Sequence, residues 1–233
     1  MLRVILVGLM VLCAASAMGV DRKDIGQVST DEITQETQAV ITTEGGQLHV
    51  LWWLPVEFWA SALANDTMLT QQQKLAMLTT FEPYLVVAAG SAELIPFGAT
   101  NFHTKERVGS NLTLVFIGDD GVRAELVPQE AMDPHLDQVL TQMKPILARA
   151  IGNLGNNIHF FTCDNRLEDS TLLVDAYESG RLEMSIMQDD GLSVANIVET
   201  PLNCLYIPRK CPNGKDAHVS WNFCPWTGEK LPK

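Results

Sequence analysis

The sequence predicts an α+β fold: a mainly antiparallel sheet with two or three helices packed on it, followed by a small ribbon-like tail at the C-terminus. Short apolar stretches of strand character outnumber the segments with helical spacing, and tight-turn residues such as Asp119-Asp120-Gly121 join most of them. Strands linked by tight turns pair antiparallel, and the amphipathic helices then have a sheet face to cover.

Each element has its own signal. Arg3, the apolar run Val4 to Cys13 and the small residues Ala15-Ser16-Ala17 read as a secretory signal peptide over residues 1–17, with cleavage after Ala17. The apolar run is short of the roughly 20 residues a spanning helix needs, so no transmembrane segment is expected in the mature chain. Cys13 follows Leu12, where lipoprotein signals carry a small side chain, so simple cleavage is preferred and lipidation of Cys13 is the alternative. Residues 18–46 are polar and read as a flexible leader.

Folding is expected to begin near Gln47. Leu48, Val50, Trp52 and Leu54 alternate with His49, Leu51 and Trp53, giving a strand apolar on both faces, and Pro55 opens a short helix through Trp59 and Leu63. Thr70 and Gln73 form a capping box ahead of Leu75, Met77, Leu78 and Phe81, and this helix stops before Pro83. Two short strands, 85–89 and 93–97, are expected around a Gly90-Ser91 turn, then a hairpin of 111–117 with 122–127. Asp133 caps the longest helix, whose apolar stripe is Leu136, Val139, Leu140, Met143 and Leu147. Pro145 predicts a kink or break near residues 141–145, and Gly152 and Gly155 end the element. A strand over 157–163, a hairpin of 171–177 with 181–187 around Ser179-Gly180, and a strand over 202–207 complete the globular domain, residues 47–207.

The formal net charge of −12, from 16 Lys and Arg against 28 Asp and Glu, argues against nucleic acid. Phosphate binding relies on basic side chains releasing counterions, and no basic cluster longer than Arg209-Lys210 occurs. Removing the signal leaves Cys163, Cys204, Cys211 and Cys224. In an exported chain an even number of cysteines reads as disulfides, with three possible connectivities. Cys211 with Cys224, and Cys163 with Cys204 by elimination, is the expected set.

Catalytic motifs are sparse. Trp52, Trp53, Phe58 and Trp59 form an aromatic cluster that reads as core, with a platform for sugar rings or a protein partner as the alternative. His49, His103, His135 and His159 show no metal-binding spacing. His159, between Ile158 and Phe160, and His49 are the best candidates for a general-base site if their strands meet. There is no G-x-S-x-G elbow, and Asp119-Asp120-Gly121 and Asp189-Asp190-Gly191 lack the spaced carboxylates of a calcium loop, so both read as turns. Gly152 to Asn157 follows a helix where a phosphate loop would precede one. Asn65-Asp66-Thr67 and Asn111-Leu112-Thr113 match the glycosylation sequon.

The tail, residues 208–233, holds two half-knuckles, Cys211-Pro212-Asn213-Gly214 and Cys224-Pro225-Trp226-Thr227-Gly228. Structural zinc takes four Cys or His ligands, and Gly214 and Thr227 stand where the second cysteines of the knuckles belong. His218 is a candidate third ligand with Cys211 and Cys224. The ending Trp221 to Leu231 resembles the second knuckle of a bacterial zinc ribbon, and the rest of the chain is similar to exported bacterial proteins of uncharacterised activity. This resemblance implies no reaction. The expected function is a non-catalytic binding or structural module of the cell envelope, without cofactor, whose partner is a protein or a glycan. The alternatives are a hydrolase-type enzyme using His49 and His159, and a zinc-dependent adaptor.

Overall fold

The computed structural model describes residues 20–95, 100–151 and 153–232, so the expected signal peptide, residues 1–17, lies outside the described residues. In chain order the elements are α1 (Thr30–Thr37), β1 (Gln38–Thr42), β2 (Gln47–Trp53), α2 (Val56–Ala64), α3 (Gln71–Phe81), β3 (Tyr84–Leu94), β4 (Thr100–Phe102) and α4 (Lys105–Asn111). They continue as β5 (Leu112–Gly118), β6 (Arg123–Leu126), α5 (Pro134–Ile151), α6 (Asn153–Asn156), β7 (His159–Asp164), β8 (Gly180–Met187), β9 (Ser193–Thr200), β10 (Arg209–Lys210) and β11 (Asp216–Ala217). The arrangement is α+β, and every strand pairing is antiparallel.

Strand β3 organises the first sheet. Of its eleven residues, 87–93 pair with β2 along one edge, while the other edge is shared by β7, opposite residues 84–89, and β4, opposite residues 92–94. With β1 outside β2, this makes a five-stranded sheet. The second sheet has four strands in the order β6-β5-β8-β9. On β8 the period is strict: Leu182, Met184 and Ile186 are buried, and the residues between them are less so. These side chains share one apolar core with Val50, Leu51, Leu85 and Val87 of the first sheet. Asn196 of β9 bridges the sheets, its amide donating to the carbonyls of Thr37 (3.0 Å) and Leu51 (3.2 Å).

The aromatic cluster is core, as its position under α2 requires. Trp52, Trp53 and Trp59 are buried, Phe58 meets Trp52 edge-on at 5.3 Å, and Trp59 stacks on Phe81 at 4.3 Å. Such ring pairs add about 0.5–1.5 kcal/mol each beyond the area they bury. The capping box at Thr70 and Gln73 is present, and the Asp133 carboxylate accepts from the backbone of His135 and Leu136.

Several expectations need correction. Residues 18–46 are not a flexible leader where they are described: Ser29 caps α1, and β1 pairs with β2. A few apolar anchors suffice, since Ile33 is fully enclosed and Val28 and Thr37 are buried. The segment is also tied to the far end of the chain. Lys23 N–H donates to Leu205 O (2.8 Å), Ile207 N–H donates to Asp21 O (2.9 Å), and the Glu36 carboxylate accepts from the backbone of Asn203 and Cys204. Gly90-Ser91 is no turn but the middle of β3, whose small residues read as punctuation only in isolation. Helix α5 runs through Pro145 without a break. Residues 171–177 form turns instead of a strand, and β8 takes β9 as its hairpin partner around Asp189-Asp190-Gly191. Residues 203–205 form a single 3-10 turn, not a strand.

Candidate functional site

His49 and His159 sit on opposite flanks of β3, His49 opposite Ser91 and His159 opposite Ala89, so their strands do not pair with each other. His49 is buried, and its Nδ1 lies 2.9 Å from Ser91 Oγ. The chain of polar groups continues outward. His103 Nε2 lies 3.4 Å from Glu93 Oε1, and Arg107 pairs with Glu93 (3.7 Å) and with Asp189 (2.7 Å) in the β8–β9 turn. His159 joins from the other side, its Nε2 lying 3.0 Å from the carbonyl of His103. Burial pushes the pKa of His49 below its ordinary value, and the charge on His103 pushes the same way. Burial likewise lowers His159, against the hydrogen bond to His103, which raises it. The free space beside His49 and Ser91 is only about 10 Å³. That is the scale of a single water, and the network around it joins the two sheets through the Arg107–Asp189 pair.

Among the described residues the cysteines, Cys163, Cys204, Cys211 and Cys224, are buried thiols, none at disulfide distance from another. Cys163 lies on β7 and Cys204 in the 3-10 turn held by Glu36, so the two belong to different parts of the fold. Burial raises Cys163 to about 12 and raises Cys204 further, with the Glu36 carboxylate adding to the effect. In the tail both half-knuckles adopt the turn their sequences suggest. Gly214 N–H donates to Cys211 O and Gly228 N–H to Cys224 O, each at 2.8 Å, and both glycines take positive φ. The turns bring Cys211 and Cys224 into one small core with Ala217, Leu231 and Trp221. Burial and a hydrogen bond to Cys224 raise Cys211 to about 11. Burial opposes the ionised form of Cys224 too, but hydrogen bonds from Cys211, from the Thr227 hydroxyl and from the backbone N–H groups of Trp226 and Thr227 outweigh it, giving about 7.

His218 does not gather with the thiols. Its Nδ1 contacts Ser220 Oγ at 2.8 Å, and among the described residues no three His, Cys, Asp or Glu side chains are grouped as metal ligands. Instead His218 lines an open cleft of about 650 Å³ between the tail and the rim of the second sheet. The rim contributes Asp119 from the β5–β6 turn, Gly180 and Arg181 from β8, and Glu199 and Thr200 from β9; the tail contributes His218, Ser220 and Trp221. Arg209 holds the tail wall in place, its guanidinium donating to the carbonyls of His218, Val219 and Trp221, while Val219 N–H reaches Asn203 Oδ1 at 2.9 Å. Two buried polar atoms of residues that line this cleft have no hydrogen-bond partner, Thr200 Oγ1 and Arg181 Nε. Thr200 is only 7% exposed. The other end of Arg181 is held by Glu183, with Nη2 to Oε1 at 2.7 Å.

None of the cleft residues except His218 was a sequence candidate. The available signal was Trp221, an aromatic just ahead of the second knuckle; Arg181 and Thr200 become neighbours only through the pairing of β8 with β9. Together the fold and the cleft define an α+β protein with a two-walled polar groove. In comparisons with protein-family models, curated proteins and solved structures, nothing matches this chain.

Proposed function

We propose that this chain is a non-catalytic, exported binding protein that takes a short saccharide in the cleft between the second sheet and the tail. The observation that carries this reading is the lining of the cleft, where Asp119, Arg181 and Glu199 of the sheet rim meet His218 and Trp221 of the tail. That lining suits a sugar. Asp119 and Glu199 accept from hydroxyls, Arg181 donates, and the Trp221 indole offers an apolar ring for a pyranose face. Export is supported by the signal-like character of residues 1–17, and no helix among the described residues is long and apolar enough to cross a membrane.

The test is titration of the full chain with oligosaccharides of glucose, N-acetylglucosamine and uronic acids, read by calorimetry and tryptophan fluorescence. A saturable signal that disappears in Trp221→Ala and weakens in Arg181→Ala is expected. Absence of any saturable response across the panel, or a response indifferent to both substitutions, overturns the proposal.

A further inference from the structure

The geometry of the tail points to a second site: we propose that Cys211 and Cys224 form a two-coordinate seat for a soft monovalent ion, copper(I) or silver(I). Two observations carry it. Both cysteines stand at the first position of a knuckle turn closed by a positive-φ glycine, Gly214 or Gly228, the backbone shape that turns sulfur inward. Both side chains are almost completely enclosed, at 3% and 1% exposure, in one small cluster capped by Leu231 and Trp221.

The number of donors decides which ion fits. Tetrahedral zinc needs four Cys or His ligands, and the positions that would complete the set hold Gly214, which has no side chain, and Thr227, which carries a hydroxyl in place of a thiol. Thiolates are soft donors that select copper(I) among the available metals, and a d10 monovalent ion is content with two of them in line. Binding is a balanced exchange: two S–H bonds break, two metal–sulfur bonds form and two protons pass to solvent, leaving the bis-thiolate complex with one negative charge. Lys215, whose ammonium lies 4.7 Å from the Trp226 ring centroid, stands beside the second knuckle to offset that charge.

The experiment uses the full chain, reduced and under anaerobic conditions. Copper(I) is titrated in competition with bicinchoninate, silver(I) is titrated separately, and native mass spectrometry counts the ions. One ion per chain is expected, retained in the Cys163→Ala/Cys204→Ala double variant. Cys211→Ser and Cys224→Ser should each weaken binding by more than about 100-fold, beyond the loss that removing an outer partner causes. Copper K-edge absorption on the unmodified chain, which does not depend on how the variants fold, should read two sulfur neighbours and no nitrogen. Binding that follows Cys163 and Cys204, a first shell with three or more ligands, or zinc held as tightly as copper(I) overturns the assignment.

Discussion

Glu57 in the first turn of α2 offers the sharpest test of how this core handles charge. It lines a narrow space with Trp53, Tyr84 and Asn165, and burial raises its carboxyl from 4.5 to about 7; Asp175 adds to the rise, while its own backbone N–H and Arg22 oppose it. Below pH 4.5 the group is protonated in both folded and unfolded chains and contributes nothing to the pH dependence. Between 4.5 and 7 the folded chain keeps a proton that the unfolded chain has released, so stability falls as pH rises through that window. Above 7 the penalty is complete, and a displacement from 4.5 to about 7 corresponds to about 3 kcal/mol at most. Glu57→Gln keeps the shape and the acceptor oxygen and removes the titration. Urea unfolding followed by tryptophan fluorescence at pH ~4, ~6 and ~8 should give a variant more stable than the parent at the highest pH, with the difference shrinking toward zero at the lowest. A difference that does not change with pH would refute the reasoning, because only a titrating group produces the slope.

Two further outcomes are expected at the sheet seam and at the cleft rim. Ser91→Ala leaves His49 Nδ1 without the partner now 2.9 Å away, inside a site where Nε2 already has none, and should cost about 1–3 kcal/mol in denaturant unfolding. Gly180→Ala places a methyl 2.3 Å from Phe116 Cζ, on a rigid ring under the cleft floor, and should lower stability by about 1–3 kcal/mol, read as a drop in Tm.

Local signals in the sequence located the elements whose physics is local. The Thr70 and Asp133 caps, the Asp119-Asp120-Gly121 hairpin and the alternation of Leu182, Met184 and Ile186 depend on neighbours within a few residues, and all of them are present. The errors fall where distant chain decides. Gly90-Ser91 has turn composition, but pairing with Val50 and His49 of β2 holds it extended, between the stretches of β3 that β7 and β4 cover. The strand β9 carries Ser193, Ala195, Ile197 and Glu199 on its open face, a mixed pattern that shows itself as a strand only as the partner of β8. The candidate histidines were found because a histidine in an apolar strand stands out; that a serine and not a cavity would meet His49 depended on register. The cleft was least legible, since its two walls come from strand ends and a tail that meet only in the folded chain.

The backbone bonds from Asp21 and Lys23 to Leu205 and Ile207 join stretches separated by almost the entire polypeptide. A nascent chain leaving the ribosome can pair β1 with β2 at once, yet Asp21, Lys23 and Glu36 still lack their partners. Closing so long a loop gains nothing until the last contacts form, so this seam closes only once synthesis is nearly complete. A premature stop before Leu205 would accordingly strip support from the opening segment as well as the ribbon, and the damage would appear at both termini.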